Sequence, residues 1–359
     1  MKIIIKKIFI FIILLNVCFT LISCHEDSNP FKREFSGGIS IIVEGTDIYI
    51  AANYNEPYDY EDGSGYTVRR EANYWKNGSW TNLHPKDAKG ANSTSSANTI
   101  MLLGGSVVFI VGSYSHSNNK VSAFYWVNGI RTDLKTPQNY NATATDITIA
   151  AGGDIYISGR YYNNDDTSKA CYWKNGVMIE IDSSDSNESF TRSIIAKGND
   201  IYIVGEKDRK ACYWKNDELI YLNTMWSSRA NDIAILGEDI YIVGLDTREA
   251  CYWKNGELIY LTSSYNMAEA YAIAILGEDI YIVGKDGRSN ACYWKNGELI
   301  ILQSDGYYAN ASSIAIYGDD IYIAGYYAFP IRYNEHYGWY DSRELKVCYW
   351  KNGIRIDLK

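Results

Sequence analysis

"ACYWKNGELI" occupies residues 291–300, and near copies begin at residues 170, 211 and 250. In most copies an Asn-Gly pair divides two runs of strand formers. Asn-Gly supplies the two positive-φ positions that a two-residue type I′ turn demands, and Cys-Tyr-Trp and Leu-Ile-Tyr suit a pleated, half-buried surface. The phrase therefore predicts a β-hairpin. An isolated hairpin is marginal in water, so its repetition implies that the copies pack on one another.

A second phrase alternates with the first. "IAILGEDIYIVG" at residues 233–244 and 273–284 reads as two strands around a Gly-Glu-Asp turn. The hairpin phrase is anchored by Trp75, Trp126, Trp173, Trp214, Trp253, Trp294 and Trp350, spaced 51, 47, 41, 39, 41 and 56 residues apart. Its partner phrase recurs at Ile48, Val107, Ile155, Ile201, Ile240, Ile280 and Ile321. One unit is four short antiparallel strands, and seven units fill residues 38–359. Strands such as "DIYIVG" are apolar or aromatic on both sides, as they must be when both faces of a sheet are covered. Units of this length and pattern predict an all-β, seven-bladed β-propeller of four-stranded blades. The first unit opens with its own inner strand (39–43) and the last closes with its own outer strand (354–358). No strand is lent across the seam, so closure falls to packing between blades one and seven.

The chain lacks the Gly-His and Trp-Asp marks of the WD40 repeat and the Ser-x-Asp-x-Gly-x-Thr-Trp box of sialidases. Its Trp-x-Asn-Gly-x-x-x-Asp-Leu endings, at 126–134 and 350–358, resemble the repeats of bacterial exported propellers. That resemblance covers the whole repeat region and implies no particular reaction. At the N-terminus, Lys2, Lys6 and Lys7 precede an apolar run over 8–22, the layout of a secretory signal, and too short to span a bilayer comfortably. "LISC" at 21–24 resembles the lipobox of bacterial lipoproteins. The resemblance implies a signal peptide over 1–23, acylation of Cys24 and a membrane partner reached through the lipid. Residues 24–37 then read as a tether. Glu26 and Asp27 look like the surface-export tag of some Gram-negative lipoproteins, which places the expected location at the outer membrane or cell surface.

Loss of residues 1–23, with three Lys and no acid, takes the formal net charge from −9 to −12. Nucleic acid is excluded as a partner on that ground, and a monomer is expected.

Residues that recur in every unit read as scaffold. Cys171, Cys212, Cys251, Cys292 and Cys348 fall in one column, where blade one has Asn73 and blade two Phe124. Equivalent columns of packed sheets stand roughly 10 Å apart, beyond the Cα separation of a disulfide, and metal ligands must converge. The Cys column is thus expected to be filler. Asp47, Asp154, Asp200, Asp239, Asp279 and Asp320 each sit in a separate turn, and calcium wants six to eight oxygens; they are expected to bond the turn itself.

Function is sought where the units differ. If the inner strand runs from one face to the other, both tight turns fall on one face and every variable connection on the opposite face. Blades four and five cross between their second and third strands with five residues, whereas blade one uses nineteen (53–71) and blade seven twenty-one (326–346). The two long connections meet across the seam. They carry Tyr54, Tyr58, Tyr60, Tyr66, Tyr326, Tyr327, Phe329, Tyr333, Tyr337, Trp339 and Tyr340. Exposed aromatics among Asn, Asp, Glu and Arg suit stacking on sugar rings or gripping a protein; the competing role is a latch that seals the ring. The channel mouth offers Arg192, Arg229, Asn231 and Asp232, with Trp226 in a link between blades.

No nucleophile elbow, zinc-binding His-Glu-x-x-His or phosphate loop occurs, and the four His are scattered at 25, 84, 116 and 336. No catalytic residue, metal or cofactor is expected. Two functional readings remain: an envelope-anchored propeller that binds a glycan or an envelope protein through the loops of blades one and seven, or a polysaccharide hydrolase or lyase working at the channel mouth.

Overall fold

The computed structural model describes residues 34–59, 66–84, 93–116, 120–137, 140–162, 167–182, 188–262, 267–304, 308–334 and 339–358; for 34–38, 56–59, 66–68, 329–334 and 339–344 it describes the backbone alone. These residues form seven sheets, each built from four consecutive antiparallel strands. The chain is a seven-bladed β-propeller. In blade five, for example, Ser228–Leu236 is the inner strand, followed outward by Asp239–Asp246, Glu249–Lys254 and Glu257–Tyr260. The inner strand of blade one runs Glu34–Glu44, so 34–37 of the expected tether pair with the second strand.

The Asn-Gly turns have the backbone their sequence demands. Asn255 and Gly256 take φ of 52° and 87°. Blade four has Asp217 in place of the Gly, at φ 72°. The Asn does more than turn the chain. Asn255 Oδ1 accepts the Ile240 N–H at 2.9 Å, and its Nδ2 donates to Asp239 Oδ1 at 2.8 Å, tying the outer hairpin to the Gly-Glu-Asp turn. Lys254 completes the lock, 2.9 Å from Asp239 Oδ2 and 5.2 Å above the Tyr241 ring. The same four residue types meet in blades one, three, four, six and seven. Blade two has Ser106 and Val127 at the Asp and Lys places and keeps only the Asn128 bond to the Val108 N–H. The recurring Asp is therefore a turn clamp, and among the described residues no cluster suited to a metal occurs.

In blades two to seven a glycine closes the second-strand phrase because the inner strand bulges over it. A Cβ at Gly244 would lie 2.0 Å from the Arg229 carbonyl oxygen, and one at Gly159 would lie 2.2 Å from that of Thr143. The register skips one inner-strand residue opposite this glycine, between Ala144 and Asp146 in blade three and between Ala230 and Asp232 in blade five. Blade one makes the dependence plain. It has Ala52 in the glycine column, and there the pairing Ile39↔Ala52, Ser40↔Ala51 runs without a skip; the irregularity moves to Gly37.

Between blades lie separate apolar cores. Each takes an isoleucine and a tryptophan from one blade and second-strand residues from its neighbour, as with Ile242 and Trp253 against Tyr202 and Val204. All five column cysteines are fully buried and free. The seam is packed like any other interface: Ile39, Ile41 and Trp75 of blade one meet Ala315, Tyr322 and Tyr349 of blade seven.

Candidate functional site

Antiparallel order carries both tight turns of every blade to one face and all variable connections to the other. The long connections of blades one and seven are not loops over most of their length. They continue the second and third strands as paired ribbons, Asp47–Asp59 with Tyr66–Lys76 and Asp320–Asn334 with Trp339–Lys351. Pairing persists to Asp59↔Tyr66 and Asn334↔Trp339, with Tyr58 opposite Thr67 and Tyr333 opposite Tyr340. Tyr60, Tyr337 and Cys24 lie outside the described residues, as do the side chains of Tyr58, Tyr66, Phe329, Tyr333, Trp339 and Tyr340.

Three of the expected aromatics are built into the wall. Tyr327 is 4% exposed, packs in the core between blades six and seven, and donates its hydroxyl to Asp357 at 3.2 Å beneath the Arg355 guanidinium. Tyr54 meets Trp80 edge-on at 4.9 Å beside the seam core. Tyr326 stands 6.0 Å from Tyr308, and burial followed by the Tyr308 hydroxyl raises its phenol well above the usual range.

The bulges aim side chains into the channel. Asn98, Thr145 and Arg192 are the skipped residues of blades two, three and four, and all three line a cavity of about 540 Å³ at the variable-face mouth. Arg70, Arg160, Phe190 and Glu206 complete its rim with Asn53, Ser96, Ser113, Thr143 and Thr191. Most of this lining is already bonded to protein. Asn98 Nδ2 donates to the Ala144 carbonyl at 2.6 Å, Thr191 Oγ1 to that of Gly159 at 2.8 Å, and Asn53 exchanges two bonds with Ala97. The arginines are not saturated. Arg192 reaches Glu206 only at 3.5 Å, and its buried Nε has no partner. Burial holds its guanidinium below the usual value, with Glu206 opposing.

The remaining mouth residues hold the ring. Arg229 of blade five forms a two-pronged pair with Glu269 of blade six at 2.7 Å on both arms, and Asn231 adds bonds to Glu269 at 3.1 Å and to the Ala270 carbonyl at 2.7 Å. Burial alone would raise Glu269, but Arg229 and Asn231 together keep it below the usual range. Asp232 belongs to a belt of bonds one step further down the channel. Ser40 accepts from Ile100 N, Thr99 donates to the Thr145 carbonyl, Asp146 accepts from Ile194 N, Asp232 from Ile273 N, and Ser313 closes the seam from Ile41 N at 3.2 Å. Ser193 Oγ stands 2.8 Å from both Asp146 Oδ2 and Asp232 Oδ1. Burial raises both carboxyls, Asp232 to about 6. Trp226, 75% exposed between blades four and five, lies outside the cavity wall.

Sequence reasoning missed Arg70, Arg160 and Glu206. Arg160 and Glu206 immediately follow the column glycine, where the chain leaves the repeat, and that offset was the available signal.

A domain of this kind is a β-propeller with its variable connections and a polar cavity gathered on one face. No family model matches the chain, and no curated protein is detectably similar to it in sequence. Solved structures share its fold. It superposes on a puromycin-hydrolyzing peptidase of Mycobacterium tuberculosis with TM-score 0.55 and 12% identity over 89% of this chain, and spans 53% of that peptidase. It is similar to the propeller domain of the Trilobed protease from Pyrococcus furiosus (TM-score 0.49, 9% identity, 90% of this chain and 98% of that one). A Dyadobacter fermentans protein of unknown function gives TM-score 0.45 at 10% identity, over 91% and 95% of the two chains. At these identities the likeness concerns the fold alone.

Proposed function

We propose that the protein is an envelope-anchored lipoprotein, held by an acylated Cys24, whose propeller presents its variable face to a glycan or to a protein of the same envelope. The ribbons of blades one and seven supply the gripping edge through Tyr58, Tyr60, Tyr66, Tyr333, Tyr337, Trp339 and Tyr340. One observation carries the reading. The seam between blades one and seven is closed by an apolar core, against which Tyr54 and Tyr326 pack, and by a Ser313 to Ile41 bond, so the aromatics further along the two connections need not act as a latch. Aromatic side chains concentrated where closure does not need them favour recognition, since binding energy gathers on a few such anchors.

Catalysis finds less support. Asp146, Asp232 and Glu269 are each bonded to neighbouring blades, and Glu206 is the one carboxylate among the described residues that line the cavity, so no acid–base pair of carboxyls is assembled there. The deciding experiment incubates the protein with an oligosaccharide panel and with solubilised envelope proteins. Retention without turnover supports a binding module, and new reducing ends would replace it with a hydrolase or lyase.

A further inference from the structure

We propose that the 540 Å³ cavity at the channel mouth binds the carboxylate of an acidic saccharide, a uronate-type sugar, through Arg70, Arg160 and Arg192. This deepens the glycan reading above and rests on it. The chain carries a net charge of −9, yet among the described residues that line this cavity three arginines stand against one carboxylate, Glu206. A local excess of positive charge in a concave site on an acidic protein draws anions to that place.

The donors are present and uncommitted. Arg70 is exposed at the rim. Arg160 spends only Nε, on Thr143 Oγ1 at 3.3 Å, and its guanidinium is held 5.0 Å from the Phe190 ring, which fixes its plane and leaves its terminal nitrogens free to point at a ligand. Arg192 has a buried Nε with no partner and a long contact to Glu206. A buried donor left unmade is costly, so a ligand oxygen that meets it is strongly favoured. Guanidinium forks match carboxylates in a paired geometry that ammonium groups cannot reproduce.

The remaining lining selects the rest of the ligand. A volume of about 540 Å³ lies inside the range of roughly 300–1,000 Å³ typical of small-molecule sites. Hydroxyl and amide groups line it, with Phe190 the single aromatic among the described lining residues, so a polyhydroxylated molecule fits better than an apolar one. Glu206 favours a sugar acid over a bare anion. Its carboxylate accepts hydrogen bonds from sugar hydroxyls beside the acid group, donors that a fully ionised sulfate or phosphate lacks.

The test uses calorimetric titration of the full chain with trigalacturonate, with its methyl ester and with inorganic phosphate. Trigalacturonate is expected to bind at least tenfold more tightly than the ester, to weaken as salt rises, and to lose at least tenfold in affinity in Arg192→Gln and Arg160→Gln with the melting temperature unchanged. Where Arg192→Gln does not fold, Arg192→Lys keeps the charge without the fork and is expected to lose most of the same affinity. Equal binding of acid and ester overturns the carboxylate site and leaves the glycan-binding face standing. Phosphate binding as tightly as trigalacturonate overturns the sugar-acid assignment in favour of a plain anion site. No binding of either trisaccharide overturns the inference, and the broader reading then stands or falls on the neutral oligosaccharide panel and the envelope proteins.

Discussion

Ser193 and Asp232, on neighbouring blades, share a contact of 2.8 Å between Oγ and Oδ1, and Asp146 Oδ2 lies at the same distance from the same hydroxyl. A hydroxyl has one proton to donate. With two carboxyls against one hydroxyl, the arrangement is satisfied when one of the acids is itself protonated and donates back.

A pH dependence follows. Burial, with the Asp146 charge adding to it, lifts Asp232 from 3.8 to about 6 in the folded protein. A carboxyl raised on folding stabilises the protein below its unfolded value and loses that contribution as pH climbs through the folded one. Unfolding free energy is therefore expected to fall between about pH 4 and pH 7, by on the order of 3 kcal/mol at most. Asp232→Asn, which cannot ionise, should flatten that decline whatever its stability at pH 5. Denaturant titrations across the range check this, and a wild-type curve flat from pH 4 to 7 rules the shared proton out.

The glycine column makes a steric prediction. Gly244→Ala places a Cβ 2.0 Å from the Arg229 carbonyl, against backbone that cannot step aside without undoing the bulge. A loss of about 3 kcal/mol or more is expected in chemical denaturation. Ala52→Gly, in the blade without the skip, should cost only about 0.5–1 kcal/mol.

Asn255→Ala removes three things at once: the bond to Ile240 N, the bond to Asp239, and a residue tolerant of φ 52°. The left-handed backbone alone costs about 1–2 kcal/mol for alanine. Asn255→Gly should recover much of that loss. If the Ala and Gly variants melt together, backbone strain is not the larger part.

The five column thiols are buried, and burial pushes each of them well above the ordinary thiol range. Neither thiolate formation nor reagent access is available in the folded state. Peptide mapping after alkylation should show Cys171, Cys212, Cys251, Cys292 and Cys348 unmodified in buffer and fully modified in guanidinium. An intramolecular disulfide between any two of them contradicts the blade positions.

Recognition and closure are separable at the rim. Tyr60→Ala, Tyr333→Ala and Trp339→Ala are expected to weaken retention of the ligand by about tenfold in the strongest case while leaving the melting temperature within a degree or two. Lower melting temperatures with affinity intact would return these residues to the role of a latch.

Local sequence was enough for the architecture because a propeller blade is closed over a short stretch of chain. Asn255 and Gly256 specify a turn, Asp239 and Lys254 sit within twenty residues of it, and a Trp that recurs every 39–56 residues counts the blades. The unshared strands at residues 39–43 and 354–358 could likewise be read directly, as could the place of the Cys column as buried filler. The cavity could not be read in this way. Arg70, Arg160 and Arg192 come from blades one, three and four, and only ring closure sets them around one volume. The belt from Ser40 through Asp146, Ser193 and Asp232 to Ser313 is equally invisible in one dimension, because each bond joins residues some forty or more positions apart, in blades that meet only after packing. Tyr327 shows the same limit from the other side: its composition marked it as a binding aromatic, and the approach of blade six buried it. Strand, turn and repeat are decided by neighbours along the chain; exposure, partner and charge environment are decided by neighbours in space.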